Sequence, residues 1–323
     1  MRIGPVGKSL GAVALVAALA GGGWAALAPA SSDARAKTLR VSAPRDAVMV
    51  TIPGGVVTIG DDAGPADERP AMSRKFQSFL LDRTPVTVGQ FAVFVRDTGY
   101  VTEAEKLGEG GVLDRQAGQW ASVPGADWRR PHGPDQPAAP ADHPVTQVSW
   151  ADADAFCRAY GARLPTEFEW ERAARLGQTP DGHVFKAGDP LALNGRYLAN
   201  TWQGFFPLED RGEDGFKNTS PVGAFGETPA GLTDMAGNVW EWTASYRRNY
   251  ATLDQPFKPA VGTERVQRGG SFLCDPGFCE GFRVTARNHS TPETALMHVG
   301  FRCAADVGRT TATTGRLRPE PQA

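Results

Sequence analysis

Gly231-Leu-Thr-Asp-Met-Ala-Gly-Asn-Val-Trp-Glu-Trp242 is the stretch on which the reading of this chain turns. It holds an acidic turn with a central glycine, then two tryptophans on either side of Glu241. Tryptophans two positions apart read as a strand or turn edge that packs its rings into a core. The acidic turn reads in two ways. Such turns are commonly solvated Asx turns, in which the carboxylate caps its own backbone. They also suit calcium, which takes six to eight oxygens from carboxylates and carbonyls on a sharply turning chain. Asp234 and Glu241 would supply side-chain oxygens. An upstream pair of segments, Ala199–Gly204 and Gly212–Phe216, offers Asn200 and Asp214 in the same way.

Outward from that stretch, regular structure is sparse. The 323 residues include 38 glycines and 25 prolines, which favour short turns over long elements. Three helices are legible from caps and apolar spacing: Val88–Asp97 after Thr87, Trp150–Tyr160 after Ser149, and Glu167–Arg175 opening on Thr166-Glu-Phe-Glu169. Strands are expected at Val48–Ile52, Val56–Ile59, Phe79–Asp82 and Gln267–Phe272. Pro131–Pro140 reads as a surface loop. No repeat and no internal linker divides residues 41–306, so one α+β domain with much irregular backbone is expected there.

The termini read differently. Arg2 and Lys8 form a basic start, and Leu10–Leu27 is uncharged and apolar. Ala34-Arg35-Ala36 is a small-x-small cleavage signal, so residues 1–36 are expected to be a signal peptide, or an anchor if uncut. No Arg-Arg pair precedes the apolar run. The body is expected to be exported, periplasmic or extracellular, touching a membrane only through that segment. Removing residues 1–36 moves the net charge from −2 to −4. That balance gives no electrostatic reason to expect nucleic acid. The tail, residues 307–323, lacks apolar periodicity and is expected to be disordered.

Four cysteines remain after the leader: Cys157, Cys274, Cys279 and Cys303. Four allow three full pairings, and export permits disulfides. Cys274 and Cys279 follow Gly269-Gly270-Ser271 on a short glycine-rich segment. Such a thiol pair can close a bridge, run redox chemistry or hold a soft metal ion.

Seven ordered segments carry a resemblance: Val50-Thr-Ile-Pro-Gly-Gly55, Pro85-Val-Thr87, His143-Pro-Val-Thr-Gln-Val-Ser-Trp150, Arg163-Leu-Pro-Thr-Glu-Phe-Glu-Trp170, Gly231–Trp242, Arg268-Gly-Gly-Ser271 and Gly300-Phe-Arg-Cys303. With them the chain, from about Val48 to Asp306, resembles the formylglycine-generating enzymes, the sulfatase-modifying factors. The resemblance implies a C-type-lectin-like α+β fold. It implies a copper-dependent oxidase that uses dioxygen to convert a cysteine, in sulfatase-type Cys-x-Pro-x-Arg motifs, to formylglycine. The client would bind as an unfolded or extended peptide. Cys274 and Cys279 would bind copper(I), with Ser271 beside it placing dioxygen or substrate. Cys157 and Cys303 would be joined. A second bridge of some relatives would need cysteines at Ala174 and Val284, which this chain lacks. Calcium would take Asn200, the Thr201 carbonyl, Asp214 and the Phe216 carbonyl at one site. Asp234, the Gly237 and Val239 carbonyls and Glu241 would form the other.

Fold membership alone does not carry activity, and the cysteine pair is the discriminating feature. Three departures bear on the client. Phe278 stands where catalytic members have tyrosine, His298 where they have asparagine, and Ser290-Thr-Pro-Glu293 where they have Asn-Thr-Pro-Asp. A lone histidine in a polar groove reads as a hydrogen-bonding residue before a metal ligand. Two other readings stay open. One is a same-fold oxidase acting on a siderophore precursor or envelope peptide. The other is a non-catalytic, calcium-stabilised binding module with Cys274 and Cys279 bridged.

Overall fold

The structure is a computed structural model that describes residues 47–308. The expected signal peptide at 1–36 and the tail after Gly308 lie outside the described residues. In chain order the first elements are β1 (Met49–Ile52), β2 (Gly55–Ile59), β3 (Met72–Phe76), β4 (Phe79–Asp82), α1 (Val88–Thr98) and α2 (Glu103–Leu107). Next come β5 (Glu109–Asp114), β6 (Gln119–Pro124), α3 (Trp150–Ala159) and α4 (Glu167–Ala174). Four two-residue strands follow: β7 (Ala192–Leu193), β8 (Arg196–Tyr197), β9 (Gly204–Phe205) and β10 (Glu209–Asp210). The chain closes with β11 (Trp240–Tyr246), β12 (Arg265–Arg268), β13 (Asn288–Ser290), β14 (Val299–Gly300) and β15 (Ala304–Asp306).

The three expected helices form because their starts are chemically closed. Thr87, Ser149 and Thr166 each accept the backbone N–H three residues on, and Gln90, Asp152 and Glu169 reach back to the cap. Gly99, in the left-handed region at φ 67°, ends α1. The inner faces meet in one aromatic core. Phe91 of α1 packs on Phe156 of α3 at 5.8 Å and on Trp128 at 5.3 Å, and Phe301 closes against Phe156 at 5.3 Å. All four are buried.

Two small sheets frame this core. In one, β4 lies between β1 and β15, antiparallel to both. In the other the order is β13-β12-β11-β14, with β14 parallel to β11. The remaining strands form hairpins, of which β5–β6 is the longest. One expected strand is shorter than its sequence suggested. Gln267–Phe272 is not extended throughout: β12 stops at Arg268, because Gly269 (φ 99°) and Gly270 (φ 75°) turn the chain. A Cβ on Gly270 would lie 2.6 Å from the Phe282 amide nitrogen, so two backbone segments approach there as only glycine allows.

Cys157 on α3 is bonded to Cys303 after β14 at 2.02 Å, as the resemblance implied. Ala174 and Val284 sit together in a second apolar cluster, so packing occupies the place of the second bridge. Buried ion pairs lock the sheets to α4 and to the C-terminal segment. Arg268 meets Glu171, and Arg302 meets Glu241 at 2.7 Å. All four of these side chains are fully buried.

Candidate active site

The turn that ends β12 builds the site. The Cys274 amide donates to the Ser271 carbonyl at 2.9 Å, and the Phe278 and Cys279 amides both donate to the Asp275 carbonyl. The second half of the segment thereby folds back over the first. It brings Cys279 Sγ to 2.7 Å from Cys274 Sγ, longer than a disulfide of about 2.05 Å. Both thiols are free. Gly281 makes room for them: a Cβ there would come within 2.8 Å of Cys274 Sγ. Ser271 is fully buried directly before the pair, and its amide points at Cys274 Sγ at 3.4 Å.

Electrostatics divides the pair. Burial pushes the Cys274 thiol well up, and its contact with Cys279 adds to that. The Cys274 hydrogen bond pulls Cys279 down, against the opposing effect of its own burial. One sulfur is therefore the readier thiolate, with a thiol beside it.

The pair opens into a cavity of about 430 Å³. One wall is aromatic: Trp120, Phe206, Trp240 and Phe278, with His298 among them. Phe278 is 72 % exposed and stacks on Phe206 at 4.6 Å. Trp240 was expected to be core and is 5 % exposed, yet its ring also lines the cavity. The lining also includes two guanidinium groups that are already paired: Arg283 with Glu68 at 2.7 Å, and Arg287 with Glu167 at 2.7 Å. Of the residues in the three departures noted in the sequence, Phe278 and His298 line the cavity. Ser290 and Glu293 do not. Trp120 and Phe206 were missed by the sequence reading.

The donor set fits a soft monovalent metal. Two sulfurs, one of them readily ionised, meet at one point in a mostly apolar wall, which suits a thiolate-preferring ion such as copper(I).

The two expected calcium segments are neighbours. Asn200 bridges Gly237, and the Asn238 amide donates to the Asn200 carbonyl at 2.8 Å. At the first set, Asn200 Oδ1 is buried without a hydrogen-bond partner. Burial raises the nearby Asp214 carboxyl, whose oxygens accept from the Thr201 and Phe216 amides and from Gln203. An orphaned amide oxygen beside a desolvated carboxylate fits a hard cation. The second set is more committed. Asp234 accepts from Gly223, Thr233 and Asn238, and Glu241 is held by Arg302 and by Trp170 Nε1 at 2.7 Å. Among the described residues no group of three or more His, Cys, Asp or Glu side chains converges as a metal site. A shell at either place would therefore complete its one or two carboxylates with amide and carbonyl oxygens.

Comparison with known proteins adds four relationships. Residues 35–307 match the family model described as a sulfatase-modifying factor enzyme 1-like domain. A formylglycine-generating enzyme of Thermomonospora curvata is 44 % identical over 288 residues, spanning 80 % of this chain and 93 % of that protein. A mouse protein named inactive C-alpha-formylglycine-generating enzyme 2 is 40 % identical over 291 residues, 84 % of this chain and 90 % of its own. Among solved structures, PvdO from Pseudomonas aeruginosa superposes with a TM-score of 0.60 at 24 % identity, covering 82 % of this chain and 99 % of PvdO, which supports the fold. A relative named formylglycine-generating enzyme and one named inactive lie at 44 % and 40 % identity, so identity alone does not separate them.

Proposed function

The chain belongs to the sulfatase-modifying factor family, and from that premise we propose that it is an exported formylglycine-generating oxidase acting on a cysteine of a sulfatase-type client. The observation that supports this is the unlinked pair, Cys274 and Cys279, lining a cavity rich in aromatic rings, in a chain whose other two cysteines are bridged. Cys274 and Cys279 would hold copper(I). When bound, that ion supplies affinity for dioxygen and one-electron chemistry that thiols lack.

The residues of the chain provide the rest. Cys279, the readier thiolate, anchors the charge, and Cys274 fixes its position from the buried side. Ser271 orients what approaches the pair. Trp120, Trp240 and the Phe206–Phe278 stack exclude water from the target side chain and give an extended peptide an apolar wall. In the net reaction the client cysteine loses its sulfur as sulfide and gains an aldehyde oxygen, a two-electron oxidation. One dioxygen accepts four electrons, so an external thiol reductant supplies the other two, and the second oxygen leaves as water.

The reading extends to calcium, at Asn200, Thr201, Asp214 and Phe216 and at Asp234, Gly237, Val239 and Glu241, joining turns that have few strand hydrogen bonds. It places the domain in the periplasm or outside the cell, on the strength of the basic and apolar N-terminal sequence, where a client would be met before it folds. A second reading keeps the oxidase and changes the client. Phe278 and His298 both line the cavity, which favours it.

The test is a mass measurement. Copper-loaded protein, dioxygen and thiol are incubated with a Cys-x-Pro-x-Arg peptide. The expected result is the mass loss that converts a cysteine side chain to an aldehyde, absent with Cys279→Ser. Copper uptake with an unchanged peptide would overturn the sulfatase client in favour of the second reading.

A further inference from the structure

The loop Cys274-Asp-Pro-Gly-Phe-Cys279 carries both thiols, and its backbone donors after Asp275 share one destination. Of the four residues from Pro276 to Cys279, proline has no N–H, and the other three all donate to Asp275. Gly277 donates to the side-chain Oδ1 at 2.7 Å, and Phe278 and Cys279 donate to the carbonyl at 3.0 and 2.7 Å. The result is a β-turn with Asp275 first and Pro276 second, where a short acceptor side chain and a fixed φ are favoured. Gly277 keeps the acceptor clear, since a Cβ there would lie 3.0 Å from Oδ1.

The two arms of the loop are held differently. Cys274 belongs to the core: it is 1 % exposed, its amide donates to the Ser271 carbonyl, and its carbonyl accepts from the Trp202 amide at 3.0 Å. The Cys279 arm lies at the surface, with Pro276, Gly277 and Phe278 exposed. Two side chains tie it to the rest of the domain. Phe278 stacks on Phe206, and Glu280 accepts from the Gly188 amide at 3.2 Å. Neither tie takes up a backbone donor of the loop. The order of the loop, and with it the 2.7 Å approach of the sulfurs, therefore rests on Asp275. Ordering the loop in advance raises the effective concentration of one thiol at the other. A ligand that needs both sulfurs then meets them without that ordering cost.

We propose that Asp275 is a positioning residue: through the Gly277 amide its carboxylate holds Cys279 against Cys274, and so sets how strongly the two thiols act as one unit toward a soft metal ion or an oxidant. It acts through the turn. The part concerning copper rests on the function proposed above, and the part concerning the thiols does not.

The experiment uses reduced full-length protein, as wild type, Asp275→Ala and Asp275→Asn. Asn keeps an oxygen acceptor for the Gly277 amide, and Ala removes it. The first measurement is equilibration with reduced and oxidised glutathione. One oxidised glutathione takes two electrons and two protons from the pair, its S–S bond breaks to give two thiols, and a bond forms between Cys274 and Cys279. Cys157 and Cys303 are fully buried and already bonded, so they stay out of the exchange. Thiol alkylation and mass spectrometry count the bridged and free forms. Asp275→Ala is expected to lower the equilibrium constant for bridging about tenfold, with Asp275→Asn within about threefold of wild type. The second measurement is competition for copper(I) with a chelator, in which Asp275→Ala is expected to lose about tenfold in affinity and Asp275→Asn to recover most of it. Wild-type bridging and copper affinity in Asp275→Ala would overturn the inference and leave the oxidase reading intact. Equal losses in both variants would also overturn it, because the acceptor oxygen would then not matter. A bridging equilibrium that shifts in Ala and recovers in Asn, with no copper uptake by any of the three proteins, would support the inference and count against the oxidase reading.

Discussion

His298 carries an acid liability that can be measured on the protein without substrate. Burial pushes its pKa down to about 3, while the ring in an unfolded chain titrates near 6.5. The unfolded state therefore binds a proton that the folded state refuses. Stability falls as pH drops below about 6.5, by about 2 kcal/mol at pH 5 from this group alone. The drop in melting temperature from pH 7 to pH 5 is expected to be several degrees larger for wild type than for His298→Asn. Equal drops would show that the ring takes a proton while folded. At this scale much of the site was legible in the sequence. Cys274 and Cys279 stand out because thiols on a glycine-rich segment have few uses, and Ser271 was singled out only through the family resemblance. Trp120 and Phe206 did not stand out, since nothing local to them marks a ring brought to the site by a hairpin. Glu241 was read as a calcium oxygen, and its pairing with Arg302 was missed because the two lie 61 positions apart.

Among the elements, helices were the easiest to read and short strands the hardest. Thr87, Ser149 and Thr166 signal their helices because an N-cap is local chemistry, complete within four residues. Strands β7 to β10 are two residues each, too short to show alternation, and exist because tertiary contacts place them. The end of β12 was overrun for a related reason. Gly269 and Gly270 lie between Val266 and Phe272 with no local stop signal, and they turn where the chain comes close to Trp170 and to the Phe282 backbone. That turn carries the cysteine segment, which gives a prediction for the element as a whole. Gly270→Ala would place a Cβ 2.6 Å from the Phe282 amide and force a residue with a side chain into φ 75°. The expected cost is about 1–3 kcal/mol, seen as a lower melting temperature. A melting temperature equal to wild type would show that the turn relaxes freely.

Across the whole molecule, long-range ties substitute for regular structure. The Cys157–Cys303 bridge spans 146 positions and joins α3 to the segment beyond β14. The chain-entropy model gives such a bridge about 5 kcal/mol, an upper figure. Arg302, adjacent to Cys303, binds Glu241 and also donates to the carbonyls of Asp82, Arg83 and Thr233. One residue thus connects β4, the Asp234 turn and β11. Removing a partner from so buried a pair leaves an uncompensated charge, which is why such networks persist even where their net contribution is small. These ties hold still the floor on which Cys274 and Cys279 meet, in a domain where glycine turns outnumber ladders. The account as a whole depends on what those two sulfurs bind. The direct measurement is a titration of the reduced protein with copper(I) against a competing chelator, for wild type, Cys274→Ala and Cys279→Ser. The account predicts one tightly held copper per wild-type chain and none in either variant, with each variant still folded. No uptake by wild type, or equal uptake by the variants, would contradict it.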